Sequence, residues 1–297
     1  MTNLINTKII LSGATILAAV ALIIGATFAF FSDSETSIGN IFATGELDLQ
    51  IDAEAHYAGL TCDGSVWDED VPDQSTRPDL IGDDCDGTWA LTDLDETHKF
   101  FNLTDIKPGD TGENTISIHV FDNDAWVYFE VNPTSTPNAL QNALLFNVWL
   151  DQGGTPGFQG QINDPTEGDN IRQPVTEPLL ASPGTIDVGG EAYVLGPILA
   201  AVRSSIDAAS DVCDDSDTGS DPDGDGVTDG NVGACQGLPI DGHLVGSTTY
   251  YFGVGWELPS STGNEAQALS FVADMIFQAV QYRNNPSPVF PLPTPTP

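Results

Sequence analysis

Short stretches of alternating hydrophobic and polar residues run along most of the chain after residue 46, which is the pattern of half-buried β-strands. Hydrophobic Leu47, Leu49 and Ile51 alternate with polar Asp48, Gln50 and Asp52, and Ile116, Ile118 and Val120 alternate with Ser117 and His119. Residues 125–131 and 144–150 are hydrophobic on both faces and rich in aromatic and β-branched residues, as expected for strands in a sandwich core. Residues 248–256 place Tyr250, Phe252, Val254 and Trp256 on one face. These segments predict antiparallel sheets.

One segment has a helical pattern and another fits two structures. Residues 197–209 predict a helix, because Pro197 stands near its first turn and Ile198, Val202 and Ile206 form one stripe. In residues 266–282, Leu269, Val272, Ile276 and Val280 fit a helix, whereas Phe271, Ala273, Met275 and Phe277 fit a strand. Periodicity alone does not decide between them.

Together the elements predict an all-β fold, an antiparallel jelly roll or β-sandwich with one short helix. The domain would cover residues 46–285, with two loop insertions at about 53–97 and 208–240 that are rich in Gly, Asp and Pro. Residues 286–297 form a Pro-rich tail that is extended and stiff, either a spacer or the edge of a domain.

The charge balance narrows the class of protein. The chain of 297 residues has 44 Asp and Glu against 7 Lys and Arg, a formal net charge of −37. Nucleic acid is excluded as a partner, because binding a phosphate backbone requires clustered cations. The acidity is typical of a secreted protein kept soluble by repulsion or of one adapted to high salt, and both interpretations stay open. So many carboxylates favour calcium as a cofactor, since calcium takes hard oxygen ligands.

The N-terminal residues predict export. Lys8 is followed by an uncharged hydrophobic run with small residues near its end, typical of a secretory signal over residues 1–29 with cleavage between Ala29 and Phe30. The mature chain would be secreted to the extracellular matrix or cell surface and would touch a membrane only through the signal before cleavage. The run is also long enough to span a bilayer, so a retained anchor or a pilin-type helix is the alternative.

Export also makes the four cysteines candidates for disulfides, because the extracellular space is oxidising. Four cysteines allow three connectivities. We favour the local pairs, Cys62 with Cys85 and Cys213 with Cys235, because each pair encloses one insertion that needs a covalent constraint. A zinc site is disfavoured, because the spacing of the cysteines and histidines matches no zinc motif.

The second insertion contains a calcium-loop pattern. Its spacing D-x-D-x-D-G-x-x-D supplies ligands from Asp221, Asp223, Asp225, the carbonyl of Val227, and Asp229. It resembles the calcium loops of thrombospondin type 3 and dockerin repeats. It is not an EF-hand loop, because Val232 stands where an EF-hand has Glu. We expect a structural calcium ion, and the alternative is a solvated acidic turn.

Three blocks of sequence resemble the TasA/camelysin family of biofilm fibre proteins, which are processed by a SipW-type signal peptidase. The blocks are residues 25–52, residues 101–131 with the turn Ile106-Lys107-Pro108-Gly109-Asp110, and residues 250–285, the last of which favours a strand for the ambiguous segment. The two cysteine-closed insertions are not part of the family pattern.

The resemblance implies a secreted jelly-roll subunit that polymerises with copies of itself by donor-strand exchange. The mature N-terminal segment, residues 30–45, would complete the sheet of a neighbour. Its candidate anchors are Phe30, Phe31, Ile38, Ile41 and Phe42. The alternative is that this segment forms an ordinary first strand of its own domain.

Two other functions are alternatives to the fibre subunit. Camelysin relatives have been labelled metallopeptidases, but His56, His98, His119 and His243 do not form the paired-histidine motif of a zinc peptidase, so we expect no catalytic activity. A monomeric, calcium-stabilised adhesive or carbohydrate-binding module is the other alternative. Trp67 and Trp89 would be its exposed platform, or else part of a small core under the first insertion.

Overall fold

The fold comes from a computed structural model that describes part of the chain. The described residues are 32–36, 47–69, 74–103, 105–121, 123–186, 190–210, 213, 235–283, 285 and 288–290. For residues 32–36 and 209–210 only the backbone is described.

These residues form twelve strands and one α-helix, together with two short 3-10 helices. The strands are β1 (Ser32–Thr36), β2 (Asp48–Tyr57), β3 (Leu60–Cys62), β4 (Trp67–Asp68), β5 (Trp89–Thr92), β6 (Thr111–Phe121), β7 (Ala125–Pro133), β8 (Leu145–Leu150), β9 (Leu179–Gly184), β10 (Glu191–Val194), β11 (Thr249–Glu257) and β12 (Ala273–Gln281). The helix is α1 (Leu195–Ser210), and the 3-10 helices are Pro78–Leu80 and Asn264–Ala266.

The strands make two antiparallel sheets that pack face to face. The small sheet has the order β1-β12-β7-β10, and the large sheet has the order β4-β3-β2-β6-β11-β8-β9, with β5 also paired to β2. Side chains of both sheets meet in one hydrophobic core, among them Ile51 and Ile118 from the large sheet and Phe129 and Phe277 from the small one. The predicted all-β antiparallel sandwich is therefore confirmed.

The alternating patterns have the burial that they predict. Leu49, Ile51 and Ile118 are fully buried, and so is Tyr250. Residues 266–282, whose pattern fits either a helix or a strand, contain strand β12. Its residues Met275, Phe277 and Ala279 lie in the core. One face of β12 packs in the core between the two sheets, so its period-two pattern is the one that is realised.

The predicted helix is present and starts two residues earlier than expected, at Leu195. Leu195, Leu199 and Val202 are buried in the core. A close approach of backbones fixes the helix start, because a Cβ at Gly242 would lie 1.9 Å from the carbonyl oxygen of Gly196, and Gly242 has a φ of +77°. Only glycine fits this position.

The first insertion contributes strands β3, β4 and β5 to the large sheet. Strand β2 continues to Tyr57, past residue 53, because burial still alternates there. Trp67 of β4 is only 5% exposed and packs edge to face on Tyr57 at 5.9 Å. Trp89 of β5 packs on Phe100 at 4.8 Å. Neither tryptophan forms an exposed platform, because both belong to the packing under the insertion.

Candidate functional site

The N-terminal strand closes one edge of the small sheet. Strand β1 pairs antiparallel with β12 of the same chain, from Ser32 opposite Val280 to Thr36 opposite Ile276. On its other side β12 pairs with β7 along its full length. Without β1, the outer edge of β12 would present a row of unpaired backbone N–H and C=O groups, which is the kind of edge that accepts a strand from another chain.

Part of the predicted donor segment therefore lies in its own domain. The described part, β1, occupies the sheet edge, and its pairing is intramolecular in this single chain. The predicted anchors Phe30, Phe31, Ile38, Ile41 and Phe42 lie outside the described residues, as does the cleavage site Ala29-Phe30. The calcium-loop residues Asp221, Asp223, Asp225, Val227 and Asp229 also lie outside them.

The turn before β6 is the centre of a buried polar network. The carboxylate of Asp110 accepts hydrogen bonds from the Tyr57 hydroxyl at 2.5 Å and from the Lys107 backbone N–H at 2.8 Å. The guanidinium of Arg77 lies 3.3 Å from the same carboxylate and donates to the Tyr57 hydroxyl at 2.7 Å. The side chains of Arg77 and Asp110 are 5% and 9% exposed. This network fastens the first insertion to the turn that resembles the fibre family.

Both insertions are closed by disulfides, as predicted. Cys62 is bonded to Cys85 and Cys213 to Cys235, with Cα atoms 5.9 and 5.6 Å apart. The first bridge joins β3 to the segment before β5, beneath which Trp67 and Tyr57 pack. Each bridge contributes on the order of 3 kcal/mol by restricting the unfolded chain.

Buried carboxylates hold the connection between β8 and β9. Glu167 and Glu177 are fully buried. Glu167 accepts from the backbone N–H groups of residues 159 and 160 at 2.9 and 3.0 Å. Glu177 accepts from those of Gly153 and Gln173 at 2.8 and 2.5 Å. These two side chains satisfy backbone donors that would otherwise be orphaned in a long segment of irregular structure.

Burial raises the pKa values of three carboxyl groups in this segment, those of Asp151, Glu167 and Glu177. Desolvation raises the pKa of Glu167 to about 7, and the hydrogen bonds from the backbone oppose the shift without cancelling it. Asp151 and Glu177 interact directly, and burial is the main cause that raises the pKa of both above their ordinary values. The folded protein therefore keeps protons here that the unfolded chain releases at lower pH.

We expect the free energy of unfolding to fall as the pH rises from about 4.5 to about 7, by on the order of 2 kcal/mol for Glu167. The free energy of unfolding falls with rising pH because a carboxyl with a raised pKa binds more protons in the folded than in the unfolded state over this interval. Glu167→Gln mimics the protonated acid and should flatten this dependence. Urea denaturation at constant ionic strength measures it, with exposed Glu265→Gln as control. A slope in Glu167→Gln equal to that of the parent would contradict the assignment.

The four histidines lie beside different acids. His56 contacts Glu54 at 3.1 Å, His98 contacts Asp95 at 2.9 Å, His119 contacts Asp52 at 3.5 Å and His243 contacts Asp241 at 2.6 Å. Among the described residues, no three His, Cys, Asp or Glu side chains are grouped so that they could hold a metal ion. Within the same part of the chain, no helix has the length and hydrophobicity needed to cross a membrane.

Sequence reasoning did not single out Arg77, Asp151, Glu167 or Glu177. Asp110 was noted only as part of a turn. With 44 acidic residues in the chain, no local pattern marks the few that are buried. The one available signal was the Lys107-Pro108-Gly109-Asp110 turn, whose last residue proves to be the acceptor in a buried network.

Fold and edge together define the class of this protein as a disulfide-bonded antiparallel β-sandwich whose N-terminal strand closes a sheet edge. Residues 5–57 match the model of the family described as camelysin metallo-endopeptidase. This family includes TasA, so the match confirms the resemblance inferred from the sequence. The matched region ends with β2, so strands β3 to β12 lie outside the match. No curated protein and no solved structure matches the chain.

Proposed function

We propose that this protein is a secreted structural subunit that polymerises into extracellular fibres by donor-strand exchange. The observation that carries the proposal is the position of β1 at the edge of the small sheet, paired with β12. In the fibre, β1 of one subunit would take the same place on β12 of the next. The match of residues 5–57 to the camelysin family, which includes TasA, supports a TasA-like protein.

The exchange of β1 between subunits should change the free energy only slightly. If β1 pairs with a neighbour's β12 in the register that it has within its own chain, the backbone hydrogen bonds are the same in both states and little interaction energy separates them. Assembly then depends on protein concentration and on the freedom of the segment that joins β1 to β2. A contact of this kind is head to tail and does not close on itself, so its repetition gives a filament.

Two further steps belong to the proposal. A SipW-type signal peptidase would release the mature chain by cleaving between Ala29 and Phe30. A calcium ion held by the loop from Asp221 to Asp229 would order the second insertion, whose carboxylates otherwise repel one another. The function that we propose is structural and not catalytic.

The test is electron microscopy of the mature chain beside a variant without residues 30–45. We expect fibres from the mature chain and monomers from the truncated one, because the donor strand is missing. A synthetic peptide of residues 30–45 should bind the truncated protein and should stop growth of the mature one by occupying β12. A peptide of scrambled sequence is the control.

Calcium is tested in the same assay. Three samples are compared by electron microscopy: the mature chain in calcium, the mature chain in chelator, and the double variant Asp223→Asn/Asp225→Asn in calcium. The comparison separates a role of calcium in folding from a role in assembly. Fibres from the truncated protein would overturn donor-strand exchange. Monomers under every condition would instead favour the adhesive module.

A further inference from the structure

The outer face of the small sheet carries large hydrophobic side chains. In β7, Val127 and Phe129 lie in the core, so their neighbours Trp126 and Tyr128 point to the opposite face. Val280 of β12 lies on that face too, because it is opposite Trp126 in the pairing of the two strands. The outer face of an antiparallel sandwich is usually polar, because it meets water. Hydrophobic residues on this one indicate that another part of the molecule covers it.

The low exposure of these side chains shows that the face is covered. Tyr128 is 2% exposed, Val280 5% and Trp126 8%. Trp126 packs against Tyr282, which follows β12, with the ring centroids 5.3 Å apart. It also packs against the start of α1, where a Cβ at Gly196 would lie 2.7 Å from the indole ring. One end of the face is therefore covered by elements next to the small sheet.

The Pro-rich tail lies on the middle of the face. Phe290 is stacked on Tyr128, with the ring centroids 5.5 Å apart and the ring planes 4° apart. Just before the tail, the backbone carbonyl of Asn285 accepts a hydrogen bond from the indole N–H of Trp126 at 2.6 Å. Val289 is 84% exposed, whereas the residues on either side of it are partly buried. This alternation is typical of an extended segment that turns every second side chain to a surface.

The composition of the tail suits this face. Residues 284–297 contain no charged side chain, so the tail can approach a protein of net charge −37 without repulsion. The prolines of the tail have no N–H group and cannot add a strand to a sheet, but they keep the segment extended. An extended segment loses little conformational entropy when it binds. Proline-rich segments bind to aromatic-lined surfaces for this reason.

We propose that the outer face of the small sheet around Tyr128 is a binding site for a proline-rich segment with an aromatic residue, and that the chain's own tail is its ligand. A tethered segment has an effective concentration in the millimolar range, so even weak binding fills the site. The tail is then a docked ligand and not a free spacer. The site lies on the face of the sheet, whereas β1 pairs with the edge of β12, so it does not depend on the proposed assembly.

Saturation-transfer NMR with a synthetic peptide of residues 286–297 tests the site. The protein is the full mature chain, both as the parent and as the variant Phe290→Ala, which removes the stacked ring from the tail and leaves both sheets unaltered. We expect the peptide to bind Phe290→Ala about tenfold more tightly than the parent, because the parent's own tail competes with it. Competition within one chain should not change with protein concentration.

The peptide itself supplies a matched pair of controls that do not depend on protein folding. A peptide with Phe290→Ala should bind at least tenfold more weakly, because it lacks the ring that stacks on Tyr128. A peptide with Val289→Ala should bind like the unaltered peptide, because Val289 is exposed. In the protein, adding Tyr128→Leu to Phe290→Ala keeps a hydrophobic side chain but removes the ring, and it should also weaken binding about tenfold.

Several results would overturn the proposal. They are absence of binding to the Phe290→Ala chain, equal binding of the two altered peptides, equal binding to the parent and to Phe290→Ala, and unchanged binding to folded Tyr128→Leu with Phe290→Ala. Competition that strengthens with protein concentration would assign the site to the tail of a second copy, and it would overturn occupation by the chain's own tail.

Discussion

A disulfide between β1 and β12 of one chain should keep the protein monomeric. Thr36 and Ile276 are opposite each other in the pairing of these strands, so Thr36→Cys with Ile276→Cys places two cysteines at the distance that a disulfide requires. When this variant is oxidised as a dilute monomer, β1 cannot leave its own sheet. We expect fibre mass in electron micrographs to fall to background.

The same variant also reports on assembled fibres. If it is first assembled in its reduced state and then oxidised, each engineered disulfide should join two subunits, and non-reducing gels should show a ladder of covalent multimers. Thr36→Cys with Val280→Cys is the control. Val280 lies four residues from Ile276, roughly 14 Å along β12, so no bridge can form in the observed register. Normal assembly of the locked monomer would contradict exchange of β1.

The second large effect concerns stability. Asp110→Ala should lower the free energy of unfolding by about 2–3 kcal/mol, because Arg77 loses its buried acidic partner and keeps only its contacts with the exposed carboxylates of Asp79 and Asp105. It also removes the acceptor of the Tyr57 hydroxyl and of the Lys107 backbone N–H. Urea denaturation, followed by tryptophan fluorescence, measures the loss.

The control for Asp110→Ala is a second acidic partner of Arg77 that is exposed to solvent, Asp79. Asp79 lies 3.0 Å from the guanidinium, but its side chain is 61% exposed. Asp79→Ala should therefore cost less than about 1 kcal/mol, as surface ion pairs do. Adding Arg77→Met to Asp110→Ala should recover part of the loss, because no buried charge remains unpaired. Equal losses for Asp110→Ala and Asp79→Ala would show that the buried network is not what stabilises the turn.

The parts of the fold that the sequence predicts are those in which one local pattern controls burial. Leu49 and Ile51 alternate with polar residues because one face of β2 packs against the other sheet. The stripe with Ile198 and Val202 predicts α1 for the same reason. The two disulfides were predictable because each joins cysteines 23 or 22 residues apart around one insertion.

What the sequence does not reveal depends on contacts between distant residues. Nothing near Ser32 predicts that β1 will pair with a strand some 240 residues later. Ser117 and Asn114 are polar strand residues, yet both are fully buried. Asn114 donates to the carbonyl of Gly87 in the first insertion and to that of Phe100 just after it. Partners of this kind arise only from the tertiary arrangement, so no sequence pattern predicts the buried network around Asp110.

The connection from β1 to β2 sets a ceiling on the geometry of a fibre. Residues 37–46 lie between the end of β1 and Leu47, and such a stretch spans at most about 35 Å when fully extended. A subunit that donates β1 must therefore hold its own large sheet within that reach of the neighbour's β12. In the proposed fibre, the distance between neighbouring subunits would be limited by this connection, so inserting a few glycines into it should lengthen the spacing between subunits while leaving the pairing of β1 with β12 intact.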